Sequence, residues 1–228
     1  MLIVNTDHGF FLAEHDWWGK GAAPNYEELV HTPLFIWDPR CPGAAGQRRR
    51  ALVQTIDLAP TLLDFFGVDI PADMTGKPLA GVIAGDVPVR RHALFGYHGA
   101  PVGITDGRWV LLRAVADSTV QMYEYTHMPT HMRAPFSVEE MRSTTLHPGF
   151  SFTKGAPVMK IESRVNPRFA KAQAEGEDLL FDLQADQQHQ LENADKKAEL
   201  LDAMARLCAE NDAPEEVYER FGLKKPER

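Results

Sequence analysis

Apolar positions along this chain come in short bursts whose period changes several times. Leu2-Ile3-Val4 is a brief continuous run closed by Asn5-Thr6-Asp7, which predicts a buried strand over Leu2–Thr6. A glycine-containing loop over residues 9–25 follows, of the kind a scaffold uses to present a site. Tyr26–His31 then predicts a short helix, and Pro33–Trp37 a second buried strand that stops at Asp38-Pro39. After a loop over Pro39–Gly46, Leu52–Ile56 predicts a third strand. It feeds a helix capped by Asp57, with Leu58, Leu62, Leu63, Phe65 and Phe66 as apolar positions and Gly67 as its stop. Strands alternating with helices in this way imply parallel pairing.

The pattern changes near Asp86. His92–Tyr97, Pro101–Thr105 and Arg108–Val115 predict strands, the last two joined by the hairpin signal Asp106-Gly107, and Gln121–Tyr125 adds another. This is the pattern of an antiparallel sheet. It sets a boundary between residues 84 and 92, with an α/β segment at 1–86 and an α+β subdomain at 87–228. Met128–Pro167, rich in proline, glycine and polar residues, predicts irregular loops with a helix over Ser137–Arg142. Lys196–Asn211 spaces Leu200, Leu201, Met204, Leu207 and Cys208 as a helix does. A last helix follows from Asp212 as cap, with Glu215 three residues on and an end at Gly222.

Composition narrows the functional classes. With 228 residues, 44% hydrophobic and 25% charged, the chain has the make-up of a soluble globular protein of one larger domain or two small ones. A net charge of −8 argues against a general nucleic-acid binder, which needs a basic face to release phosphate counterions. The dense basic run Arg48-Arg49-Arg50 reads as a solvated loop. No apolar run approaches a membrane span, so no membrane partner is expected. Cys41 and Cys208 lie far apart and imply no disulfide framework.

The candidate chemistry clusters after the first strand. Asp7 offers a charged oxygen and His8 a neutral nitrogen at the strand's C-terminal end, where α/β sheets place their sites, and Gly9 lets the chain turn sharply. His15 and Lys20 would suit an anionic group held against a metal. The same residues also fit a strand followed by a polar turn. His98, in Tyr97-His98-Gly99, ends a predicted strand, as either a pocket residue from the second subdomain or a turn histidine. His127 and His131 stand four apart, but Pro129 between them argues against a helical metal pair. That segment reads as a substrate-side loop or a structural one.

The longer run from Thr6 to Gly21, with Tyr26-Glu27-Glu28 and Thr32-Pro33-Leu34-Phe35-Ile36, resembles the sulfatases. More broadly it is similar to the alkaline-phosphatase-like superfamily, including phosphonate monoester hydrolases. Val53–Leu63, Gly67-Val68, Pro71 and Gly76-Lys77-Pro78-Leu79 continue the resemblance in order. Leu180–Leu183 with Asp186 and Leu191-Glu192-Asn193 is similar to the family's closing segment. The resemblance implies the C-terminal part of an alkaline-phosphatase-like parallel sheet, followed by a small α+β subdomain with an antiparallel sheet. It implies metal-dependent hydrolysis of a sulfate ester, with a phosphonate or phosphate monoester as the alternative substrate. Asp7 and His8 would hold one divalent metal ion, the nitrogen ligand pointing to manganese, zinc or iron beside the family's calcium. Lys20 and His15 would be catalytic residues, and with His98 would bind substrate, Lys20 neutralising the oxygens as the bond breaks.

The family's nucleophile box, C/S-x-P-x-R, has no match, and Cys41-Pro42-Gly43 lacks its spacing. The chain is therefore expected to be an incomplete enzyme, inactive alone, with formylglycine only in an upstream part. Its expected partners are a small-molecule sulfate or phosphate/phosphonate ester, and either self-association or a missing N-terminal half. The reading from another class is a non-catalytic fragment that acts through a partner.

Overall fold

The computed structural model describes residues 1–20, 24–164, 176–185 and 191–227. Gly21 and Asp186 of the family resemblance, and the last residues of the loop region ending at Pro167, lie outside them.

The chain opens with β1 (Leu2–Asn5), then a tight hairpin of β2 (Phe11–Leu12) and β3 (Trp18–Gly19), a single helical turn α1 (Glu27–Val30), and β4 (Leu34–Trp37). β1 and β4 pair antiparallel, Leu2 opposite Trp37 and Val4 opposite Phe35, which corrects the expectation of parallel pairing. Parallel neighbours need a long crossover, usually a helix packed over the sheet. Here α1 is one turn, and the chain doubles back. One face of the pair carries Leu34 and Ile36 onto Leu79, Val82 and Ile83.

Leu52–Ile56 forms no strand. Its end enters a 3-10 turn over Thr55–Asp57, because the Gln54 N–H is taken by the Asp57 carboxylate at 2.8 Å and not by a neighbouring strand. α2 (Leu58–Phe66) follows and ends at Gly67, whose φ of 66° is the left-handed geometry glycine adopts freely. Asp57 does not cap α2 with its side chain. That carboxylate instead accepts from Gln54 N and Lys77 N, at 2.8 Å each, and pairs with Arg90. The basic run also has a structural task. Arg49 donates to the carbonyls of Val82 and Ile83 at the end of α3 (Ala80–Gly85), the place where a helix leaves carbonyls unpaired.

The second half carries the expected antiparallel sheet. β5 (Ala93–Phe95), β6 (Val102–Thr105) and β7 (Trp109–Arg113) form a meander. The β6–β7 hairpin turns at Asp106-Gly107, where Asp106 Oδ1 accepts from Arg108 N and Trp109 N. A distant strand, Leu179–Asp182, adds to β7 and completes the order. Between them lie β8 (Met122–Thr126), α4 (Val138–Ser143), β9 (Thr145–His147) and β10 (Val158–Ser163), with the three strands in the order β8-β10-β9. The strand Leu179–Asp182 is β11.

β9 and β10 fall where irregular loops were expected. β10 lacks clean alternation: Val158 and Ile161 are buried, while Lys160 lays its ammonium 3.8 Å over the Tyr123 ring and so hides as a polar position. α5 (Ala194–Glu210) and α6 (Glu215–Phe221) close the chain. Leu200, Met204, Cys208 and Tyr218 pack on Ile104, Leu111 and Leu180, forming the largest core cluster among the described residues. Asp212 is not the cap expected for α6. Pro214 holds that position, and the Asp212 carboxylate accepts from Ser151 N at 2.7 Å.

The mixed α/β class and the antiparallel sheet of the second half thus stand, whereas the pairing sense of the first strands is reversed. No helix among the described residues is long and apolar enough to cross a membrane.

Candidate functional site

β1 delivers Asp7-His8-Gly9 against α1. The Gly9 N–H donates to Leu29 O at 2.7 Å, and a Cβ on Gly9 would lie 1.8 Å from Glu28 O. Glycine is needed here for close approach of two backbones, and not for the sharp turn expected from the sequence.

His8 Nδ1 donates to Gly9 O at 2.8 Å. A carbonyl only accepts, so this bond puts a proton on Nδ1, and in the neutral ring the lone pair is then on Nε2. Nε2 faces Lys20 Nζ, which donates to it at 2.6 Å, and lies 3.3 Å from Asp7 Oδ2. The second Asp7 oxygen accepts from the His8 N–H at 3.0 Å. Desolvation opposes ionisation of Asp7, but His8, the nearby backbone N–H groups and Lys20 outweigh it, so the carboxyl sits below its ordinary value. A carboxylate oxygen, an imidazole lone pair and an ammonium therefore meet at the end of one strand.

Lys20 arrives by way of the β2–β3 hairpin. Phe11 is buried and anchors the first strand, Leu12 pairs with Trp18, and Gly19 at φ 99° turns the chain into Lys20. The hairpin tip holds His15. Its ring stacks on Tyr26 at 3.9 Å and 12°, meets the edge of Phe181 at 6.4 Å, and sets Nε2 3.4 Å from Glu28 Oε2. His15 thus contacts α1 and β11, whereas Lys20 contacts His8.

His98 is hydrogen-bonded to Ser163 Oγ on β10 at 2.7 Å. His131 sits between Glu140, at 2.8 Å, and Glu124, at 3.8 Å. The structure brings together Asp7, His8 and Lys20 from the sequence reading and puts His15 in a neighbouring clasp. Tyr26 and Glu28, which form that clasp, were visible only as part of the Tyr-Glu-Glu run, with no signal for their partner.

Asp7 and His8 offer two donors to a metal. Among the described residues no group of three or more His, Cys, Asp or Glu side chains converges to hold an ion. A hard oxygen beside a neutral nitrogen nevertheless fits a divalent cation that takes further ligands from outside this set.

The sequence profile of the N-sulphoglucosamine sulphohydrolase C-terminal family matches residues 13–147, more than half of the chain. The chain belongs to that family. This sulphohydrolase-family chain is 37% identical over 105 residues to an N-acetylglucosamine-6-O-sulfatase of Bacteroides thetaiotaomicron, a match covering 44% of the chain and 18% of the relative. It is 33% identical over 100 residues to an arylsulfatase of Clostridium perfringens, covering 43% of the chain and 20% of that enzyme. The chain therefore matches about a fifth of the length of these relatives. In fold it is similar to BT4656, solved in complex with its substrate D-glucosamine-2-N,6-O-disulfate, with a TM-score of 0.57 and 21% identity. That likeness covers 93% of this chain and 35% of the solved one.

Proposed function

We propose that this chain is part of a metal-dependent sulfate ester hydrolase acting on a small-molecule sulfate ester. Residues 1–86 would belong to its catalytic α/β domain and 87–228 would form its C-terminal subdomain. The observation that carries the reading is the meeting of Asp7 Oδ2, His8 Nε2 and Lys20 Nζ, with the bond from Nδ1 to Gly9 O directing Nε2 toward the other two. Membership of a sulphohydrolase family and relatives named as sulfatases support it.

In this reading Asp7 and His8 hold one divalent cation, which supplies Lewis-acid polarisation of the ester oxygens when bound. Lys20 moves from His8 to the sulfate group and neutralises charge on its non-bridging oxygens as the S–O bond breaks. Asp7 enters the cycle already ionised, because its surroundings depress its pKa. His8 needs no change of tautomer to present Nε2. The nucleophile belongs to the portion of the enzyme outside the matched fifth.

Inorganic sulfate is the simplest probe. With Mn²⁺ present, sulfate should slow acylation of Lys20, read by mass spectrometry, and Asp7→Asn should abolish the protection. Equal labelling of Lys20 with and without sulfate and Mn²⁺ would count against this assignment.

A further inference from the structure

The hairpin that carries Lys20 is strained at its tip. Ala13, His15 and Asp16 have φ of 93°, 50° and 59°, so three non-glycine residues within four positions occupy left-handed backbone. Such geometry persists only where surrounding contacts over-determine it. The hairpin itself supplies few. Its strands are two residues each, joined at the tip by the bonds Ala13 N to Trp17 O at 3.0 Å and Trp17 N to Glu14 O at 2.9 Å.

Phe11 and Trp17 pack the hairpin onto Leu29, Tyr26 and Val30, and the contacts at the tip itself come through His15. Its imidazole lies flat on Tyr26, which also meets Phe11 edge-on at 6.2 Å and Phe181 at 5.9 Å. Its Nε2 faces Glu28 Oε2, and neither of these buried atoms makes a hydrogen bond among the described residues. A histidine used only as a filler would bury its nitrogen against apolar atoms, at a cost a phenylalanine avoids. Here the nitrogen is aimed at a carboxylate on the turn whose carbonyl oxygens receive and face Gly9. The same helical turn therefore holds both the strand end bearing His8 and the hairpin bearing Lys20.

We infer that His15 is a positioning residue: clasped by Tyr26 and Glu28, it fixes the hairpin so that Lys20 meets His8. Its contacts are with Tyr26, Glu28 and Phe181, and it acts through Lys20. The inference rests on the proposed function only for what Lys20 does, because the clasp is defined without the reaction. His15 also couples the site to the second half of the chain, since Phe181 on β11 forms the far wall of the clasp.

The test uses the whole chain and needs neither metal nor turnover. Nitrogen-15 imidazole spectra report the tautomer of His8 and the hydrogen bond it accepts at Nε2, and hydrogen exchange reports the amides of Ala13 and Trp17. His15→Ala should shift the His8 Nε2 resonance toward that of an unbonded nitrogen and speed exchange at both amides by about tenfold or more. His15→Phe keeps the stack on Tyr26 and should retain most of the amide protection. Glu28→Ala keeps the stack but loses the polar half, and serves if His15→Ala does not fold; it should show a smaller shift in the same direction. Unchanged His8 and amide signals in His15→Ala, or in Glu28→Ala if only that variant folds, would overturn the inference. So would a wild-type spectrum with no bond at His8 Nε2. Failure of sulfate or Mn²⁺ to bind would instead count against the proposed function and leave these signals as they are.

Discussion

Arg90 and Asp57 form a buried bidentate ion pair that ties the start of α2 to the approach of β5. Asp57 is fully buried and also accepts from the N–H groups of Gln54 and Lys77. The pair joins the Lys77 turn, the 3-10 turn and the second half of the chain through a single carboxylate. Breaking such a pair from one side strands a charge in the interior.

Asp57→Asn should therefore destabilise the chain by about 3–5 kcal/mol, measured by denaturant unfolding. The pH dependence has a definite sign. Burial raises the Asp57 pKa, but Arg90 and the two backbone N–H groups outweigh it, and the net value lies below the ordinary 3.8. The stabilisation is therefore fully present above pH 3.8 and is lost as pH falls through the lower folded value. The gap between wild type and variant should stay constant near neutrality and narrow in acid. A gap that widens in acid would contradict the pairing.

Gly9→Ala tests the packing beneath the site. The added Cβ would lie 1.8 Å from Glu28 O, so β1 or α1 must shift and the bond from Gly9 N to Leu29 O must stretch. A loss of about 1–3 kcal/mol is expected, together with a changed His8 environment in the imidazole spectrum. A variant as stable as wild type would mean that the two backbones do not approach as described.

Leu2, Val4, Phe35 and Trp37 form two exposed cross-strand pairs on one face of β1 and β4. Apolar faces of this kind are rarely left in water. The isolated chain should therefore self-associate in sedimentation runs, and Phe35→Glu should shift it toward monomer. A monodisperse wild-type monomer would show that this face is tolerated as it stands.

With the nucleophile outside this chain, as proposed, positioning alone leaves the covalent step undone. The isolated chain is expected to hydrolyse aryl sulfates no faster than buffer. Turnover abolished by changing one residue of this chain would show that the nucleophile lies within it.

Much of the frame could be read from residues alone, for reasons tied to particular signals. Asp106-Gly107 fixed a hairpin because its φ and hydrogen-bond demands are local, and Leu200, Met204 and Cys208 fixed α5 by their spacing. The helix expected over Ser137–Arg142 is α4, and the reciprocal capping of Ser137 and Glu140 that starts it is seen in the structure. Pairing sense was not legible, since antiparallel and parallel strands share the apolar burst seen in Leu2-Ile3-Val4. β10 was hidden because Lys160 satisfies its position by lying on an aromatic ring. At the site, Asp7, His8 and Lys20 stood out as types and spacing. The clasp around His15 was invisible, because it needs Phe181, which lies far along the chain and reaches Tyr26 only in three dimensions.

The proposed chemistry depends on Asp7 and His8 forming a divalent-cation site beside Lys20. Titration of the chain with Mn²⁺, Ca²⁺ or Zn²⁺, followed by the His8 imidazole resonances, tests it most directly. A bound cation should perturb His8 selectively at Nε2 and displace the Lys20 contact, and Asp7→Asn should lose both effects. A His8 signal that no cation moves, or one that moves equally in Asp7→Asn, would contradict it.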